Sequence, residues 1–462
     1  MTRTHPGTAR PLVQLVGPLG RAGAGLVVVF FVAFGLAIAR AGAVVALLAP
    51  AAMGGLLLAV LVRYLTVEDD EDDVRRLVRW TASAFVLHLV ISLIITNTLF
   101  LLRYLGPDAV TYHSIARDIV RHWTDGFPFP YVPSGKEGFY YLLAGLYWVF
   151  GASTGAGLAV NAALAAALVP LVTDTTRRLC GPQAARFAAP LTVLVPGILL
   201  WTSQLLKEAA VLFLLALAAN CAVRVTERMT LGPLAGLAAS MALLFTFRGW
   251  VGVMAAGGLV IGIAFGRRQL LSGLGTGVTA FALIGLLVVV TGLGYSGYEA
   301  AVGSDLEQAS IVRRDLAVSA SSGFYAEVDI STPAHALSYL PRAMVTFLLG
   351  PFPWQIDGAR QLPVIPDMLV WWALLPSLWR GIRMAARRRG RQVLVLLMPA
   401  LTTSILLALA IGNFGTLLRE RAQVFVLLLP FICLGLSLRG RRDAGDAPGA
   451  EVVPPVVQLA GR

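Results

Sequence analysis

Long apolar runs, almost free of charge, recur between residues 23 and 438, and they dictate what this chain can become. A backbone in hydrocarbon has no water to bond with, so every N–H and C=O must be satisfied internally, by a helix or by a closed barrel. These runs are continuous rather than alternating, and a helix needs roughly 20 such residues to cross a bilayer. Spans are therefore expected at about 23–39, 42–62, 81–102, 154–172, 187–204, 209–223, 231–247, 249–266, 270–292, 364–380, 392–411 and 422–438. Two shorter apolar stretches, 138–151 and 339–350, read as juxtamembrane helices on the outer face. Composition agrees: 57% of the residues are hydrophobic and 13% charged, against about 25% charged in a soluble domain. The expected fold is all-α, a polytopic helical membrane protein of about twelve spans. Residues 1–438 form one multi-span domain with external loops at 103–153 and 293–363, and 439–462 form a disordered cytoplasmic tail.

The net charge of +12 does not point to nucleic acid. The arginines fall in short clusters between apolar runs, as the positive-inside bias expects. With both termini in the cytoplasm, 24 of the 37 Lys and Arg lie on cytoplasmic segments. The acidic run "VEDDEDDVRR" reads as a solvated cytoplasmic loop. Cys180, Cys221 and Cys433 show no pattern of external pairs, so neither disulfides nor a cysteine metal site is expected. No cleavable signal peptide is expected either. The same threading puts most of the remaining polar chemistry on the extracytoplasmic side.

Four groups of residues stand out there. The first is "YLGPDAVTYHSIARDIVRHW", where Asp108, Tyr112 and His113 follow a Gly-Pro turn. Val110, Ile115, Ala116 and Ile119 make an apolar stripe for a helix lying flat at the interface. Asp108 can cap that helix, or, partly desolvated, accept a proton from a hydroxyl nucleophile. Second, Lys136 and Glu137 open an aromatic-rich helix; Lys136 snorkels or sits beside a lipid phosphate. Third, Lys207 and Glu208 lie between two apolar runs with almost no loop, either as a hairpin turn at the membrane edge or facing a cavity shared with Asp108. Fourth, Arg248, Arg419 and Arg421 run against the inside bias. Each is an edge or cap residue, or part of a guanidinium clamp for an anion. No histidine spacing suits a metal, so no metal site is expected.

The order of these features resembles the GT-C glycosyltransferase superfamily. "GPDAVTYHSIARDI" is followed by Lys136–Glu137 before "GFYYLLAGLYWVFG", then by "LAVNAALAAALVPLV" ending in "RRLCGPQAARFAA". This first half is similar to the protein O-mannosyltransferase and aminoarabinose-transferase families. The later "PFPWQ" and "GNFGTLLRER" look like bacterial envelope-polysaccharide glycosyltransferases and polymerases. The resemblance implies a GT-C-like enzyme in a bacterial plasma membrane that uses a polyprenyl-phosphate-linked sugar and a glycan, lipid or protein acceptor. It implies Asp108 as catalytic base and Glu208 as a second acidic residue, with Lys136, Arg248, Arg419 and Arg421 on the lipid phosphate. Tyr112, His113, Glu137 and Lys207 support them. It brings no organic cofactor and leaves a divalent metal beside Glu208 open. Two alternatives stand beside it: a polymerase or ligase fed by a polyprenyl-diphosphate oligosaccharide, and a transporter of lipid-linked glycan. Spans nearly free of charge, with no internal repeat, argue against the transporter.

Overall fold

The computed structural model describes residues 43–66, 70–98, 107–267, 270–292, 296, 305–320, 322–356 and 365–443. They form sixteen α-helices and no β-strand; Gly323 and Asn413 make a single antiparallel bridge. The helices are α1 (Ala43–Leu65), α2 (Glu71–Asn97), α3 (Pro107–Asp125), α4 (Glu137–Phe150), α5 (Thr154–Cys180), α6 (Pro182–Leu194), α7 (Pro196–Thr202) and α8 (Glu208–Glu227). They continue with α9 (Leu231–Phe247), α10 (Gly249–Gly266), α11 (Leu270–Thr291), α12 (Leu306–Ser319), α13 (Pro333–Leu349), α14 (Ile365–Arg389), α15 (Leu394–Ala410) and α16 (Phe414–Asp443).

Among the described residues eight helical runs are long and apolar enough to cross a membrane, or nine with the bent pair α6–α7. The difference from twelve has three sources. The expected span 23–39 lies outside the described residues, α9 has 17 residues, and α14 and α15 form one helical run of 46 residues. A 3-10 turn at Gly390–Val393 divides that run. The bend of 50° between α6 and α7 falls at Val195, the residue before Pro196. Clash with the proline ring drives such a residue out of the α region, and Val195 takes an extended ψ of 117°.

The bundle has a centre and a rim. Helices α5, α8 and α16 are buried over 78%, 83% and 83% of their apolar windows, against 33%, 28% and 33% for α1, α2 and α11. Small side chains permit this. In α8 the run "EAAVLFLLALAANCAV" supplies alanines wherever a neighbour approaches. The tightest approach joins α14 to α16 at two reciprocal glycines. A Cβ on Gly381 would run into the Phe431 carbonyl oxygen, and one on Gly435 into that of Ser377.

Helices α4 and α13 overlap the two short apolar stretches, and the stripe of α3 differs from the one expected. Ala109, Tyr112, Ala116 and Ile119 form the buried stripe of α3, and Val110 is exposed. Steps of three and four residues keep one face, whereas Val110 is turned about 100° from Ala109. Helices α12 and α13 are held by Arg313, which is fully buried and donates to the Tyr325 carbonyl at 2.8 Å and the Tyr339 hydroxyl at 3.0 Å. The strap between them is bonded to the start of α16. Phe324 N–H donates to the Gly412 carbonyl at 2.8 Å, and Phe414 N–H to the Ser322 carbonyl at 3.0 Å.

The glycine contact makes a test. Gly381→Val should lower thermal stability in detergent by about 1–3 kcal/mol through overpacking of α14 on α16. Gly275→Val, where a side chain meets open space, should leave the melting temperature near that of the parent.

Candidate functional site

The site grows from two fixed turns. The first is the start of α3. Tyr112 packs edge-on to Phe139 at 4.9 Å between ring centroids and lies 5.0 Å from Tyr140, both on α4. The next residue, His113, places its Nδ1 2.9 Å from the Tyr147 hydroxyl. These contacts seat α3 on α4 and present Asp108, 53% exposed, from its first turn. Burial, and then the Arg117 charge, hold the His113 imidazole below its usual range. Burial first, and the Glu208 charge second, push the Tyr112 phenol up.

The second fixed point is the turn between α7 and α8. Asn161 reaches across from α5 and donates to the carbonyls of Gln204 at 2.6 Å and Leu206 at 2.8 Å. Its amide satisfies backbone groups that the turn leaves unpaired, which lets a loop sit inside protein at membrane depth. Lys207 and Glu208 are therefore buried, 5% and 1% exposed, and not on an exposed hairpin.

From these turns a chain of alternating charges runs inward. Asp108 Oδ2 accepts from Arg419 Nη1 at 3.0 Å. Arg419 Nε lies 3.3 Å from Glu208 Oε1, which also accepts from Arg248 Nη2 at 3.0 Å. Arg248 donates through its other nitrogen to Glu420, whose Oε2 also accepts from Gln423 at 2.8 Å. The structure thus brings Asp108, Glu208, Arg248 and Arg419 together and adds Glu420 and Gln423. Arg248 sits there because α9 ends and α10 begins around it, so a lone cation between two spans is turned into the bundle.

Arg421 is placed elsewhere. It donates to the Gly350 carbonyl at 2.7 Å and to Asp367 Oδ2 at 3.2 Å, while Asp367 Oδ1 accepts from Gly197 N–H at 2.8 Å. It ties α16, α14, the end of α13 and the start of α7 into one strut. Asp367 carried no signal in the sequence beyond its place at the head of an apolar run.

The lysines differ from the arginines. Lys136 is exposed at the start of α4, and its side chain makes no hydrogen bond or ion pair among the described residues. Its helix is seated beside Arg248: a Cβ on Gly138 would run into the Thr246 side chain and lie 2.9 Å from Phe247. The Lys207 side chain likewise makes no hydrogen bond or ion pair among the described residues. Burial, with Arg248 and Lys136 adding to it, pushes the Lys207 ammonium well below the usual lysine range. Around it Ser203 Oγ, Gln204 Oε1, Glu208 Oε2 and Gln423 Oε1 are buried without a hydrogen-bond partner, as is Glu137 Oε2 at the start of α4.

Among the described residues no group of three or more His, Cys, Asp or Glu side chains is placed to hold a metal ion. Glu208, Glu420 and Asp108 each face a guanidinium, so this donor set does not fit a divalent cation, and no step is built on one. Beside the Arg421 strut, Asp367 and Gly197 line a largely apolar cavity of about 230 Å³ together with Leu418, Leu200, Trp201 and Ile91 of α2.

No family model matches the chain, and no curated protein does. Among solved structures it is similar to the archaeal oligosaccharyltransferase AglB from Archaeoglobus fulgidus in complex with an inhibitory peptide and a dolichol-phosphate. The identity is 16%, the TM-score 0.46, and the match covers 80% of this chain and 52% of that one. The chain thus matches about half the length of that protein.

Arg248 offers the sharpest test of the charged chain. Arg248→Met leaves Glu208 and Glu420 buried without one of their cations, and losing one partner of a buried pair costs about 3–5 kcal/mol. A large drop in melting temperature is expected. The double variant Arg248→Met with Glu420→Gln should recover part of it, read as coupling in a double-mutant cycle.

Proposed function

We propose that this protein is a membrane glycosyltransferase. It transfers a sugar from a polyprenyl-phosphate-linked donor to a glycan, lipid or protein acceptor at the extracytoplasmic face, with inversion at the anomeric carbon. The observation that carries the reading is the pairing of Asp108 with Arg419. A half-exposed carboxylate is held by a cation that is itself anchored on buried Glu208, with the chain's two lysines alongside.

The chemistry follows from these groups. Transfer needs a base on one side of the anomeric carbon and cations on the other. Asp108 takes the proton of the attacking hydroxyl as the new C–O bond forms. The bond from the anomeric carbon to the phosphate oxygen breaks, and the phosphate leaves with the electron pair. Lys136 and Lys207, whose side chains make no ion pair with a protein carboxylate, stabilise the charge gathering there. Arg248 is committed to Glu208 and Glu420 and Arg421 to Asp367, so both fix the frame. Arg419 orients the base. The apolar cavity beside Leu418 has the character of a seat for part of the donor's hydrocarbon chain.

Two features weigh against a transporter. Glu208 opens α8 and Arg248 separates α9 from α10, so the charged chain sits at helix ends, away from the midplane site expected for alternating access. Its carboxylates and guanidiniums are paired with one another and do not line a path. A polymerase or ligase using a diphosphate-linked oligosaccharide would need the same base and cations, and remains the second reading.

Asp108→Asn tests the proposal. Glycan product formed by membranes carrying the variant should fall by about 10²–10⁴, the range for loss of a general base, with expression and melting temperature unchanged. Full activity in a folded Asp108→Asn protein would remove Asp108 as base and the reading with it.

A further inference from the structure

The chain carries 35 arginines and two lysines, and both lysines come to this one site. Their positions are set by backbone packing. Asn161 clamps the turn that ends in Lys207, and Gly138 seats the start of α4 against the residues that precede Arg248. The arginines there are matched with carboxylates; the lysines are not.

Lys207 is the unusual member. An ammonium buried in protein with no hydrogen-bonding counter-ion is costly to keep charged. A lysine relieves that cost by releasing its proton, which an arginine does not do. The charged groups that act on it come from three elements besides its own turn. Lys136 acts from the start of α4, Arg248 from the α9–α10 turn and Glu420 from α16. Glu208 and Glu420 favour its charged form, but both already serve Arg248. An incoming anion would supply what is missing.

We propose that a phosphoryl anion binds between Lys207 and Lys136, and that it enters together with one proton, which Lys207 takes up. This rests on reading the site as one that takes a lipid-linked phosphate, and it adds that loading is proton-coupled. The sign is fixed. A lysine discharged in the empty site and recharged by the anion makes affinity highest at low pH. Affinity then falls, by up to about tenfold per pH unit, as pH rises from the empty-site pKa towards the occupied-site one. The orphaned acceptors Gln204 Oε1 and Ser203 Oγ lie on the same turn, where they can receive the proton-bearing face of the ammonium once its charge is restored.

The experiment is calorimetric titration of the full-length protein in detergent with geranyl methyl phosphate. This phosphodiester has one permanent negative charge and no proton to exchange. Titrations at one pH near 8 are run in two buffers of different ionisation enthalpy. The expected result is binding whose apparent enthalpy changes with the buffer by close to one proton taken up. Lys207→Arg should bind the probe with no buffer dependence, and Lys136→Arg should keep the dependence. If Lys207→Arg does not fold, the wild-type buffer and pH dependence alone decides the matter. Binding without proton uptake, or uptake that persists in Lys207→Arg, overturns proton-coupled loading and leaves the glycosyltransferase reading standing. No binding at all in the wild type overturns the phosphate site and that reading together.

Discussion

The structure around the site depends on one problem of electrostatics: how to keep four charges inside an apolar bundle. Asp108, Arg419, Glu208, Arg248 and Glu420 solve it by alternation, each buried charge facing an opposite one. The desolvation cost of such groups is several kcal/mol per ion, and pairing offsets it only where geometry is fixed. The chain therefore links helices far apart in sequence, and no member can move alone. Its one exposed carboxylate, Asp108, is the member left free to meet a substrate. A buried ionic network of this kind is weak evidence for stability and better evidence for a defined arrangement. Here it aims a single carboxylate outward.

Much of the architecture was legible because hydrocarbon leaves the backbone so few options. The described helices α1, α2, α5 and α8–α11 fall on runs readable from hydropathy alone, as do α14–α16, with ends shifted by up to about ten residues where polar turns extend the helix. The grouping of Asp108, Glu208, Arg248 and Arg419 was also within reach, because all four break the apolar pattern at the ends of apolar runs. The division of labour among them was not. Arg419, Glu420 and Arg421 are consecutive, and a helix turns about 100° per residue, so they face three different neighbours. Which neighbour each meets depends on Asp367, 54 residues before Arg421, and on Glu208, more than 200 before Arg419. Burial of Lys207 was hidden for a similar reason: it follows from Asn161, a polar residue in an apolar run whose partners are backbone carbonyls of a distant turn.

The contrast between the two cation types is physical rather than compositional. A guanidinium presents a planar fork that suits several carboxylate oxygens at once and stays charged, which is what a permanent interior link requires. Arg248 and Arg419 each contact two carboxylates. An ammonium is a compact charge that can be given up when its surroundings become hostile. At this site lysine stands at the two positions whose side chains make no ion pair with a carboxylate among the described residues. A residue that must sometimes be without an anion, and sometimes hold one, is better served by lysine.

The register of α16 ties helices α12 and α13 to this chemistry. Three of its residues, Arg419, Glu420 and Arg421, serve two separate networks, so a rotation of the helix by one position would break both. Its start is fixed from outside. Asn413 Oδ1 accepts from Thr416 N–H at 2.7 Å, capping the helix, while the strap at Ser322–Phe324 bonds on both sides of that residue. Phe324 stacks against Phe414 at 4.5 Å, and Arg313 pins the strap's own carbonyl at Tyr325. Further along, the Gly381–Phe431 and Gly435–Ser377 contacts hold the other half of the helix. Held at both ends, α16 acts as a rod whose second turn carries the cation that orients Asp108. Helices α12 and α13 then matter to the site without touching it, because the strap they carry sets where that rod begins.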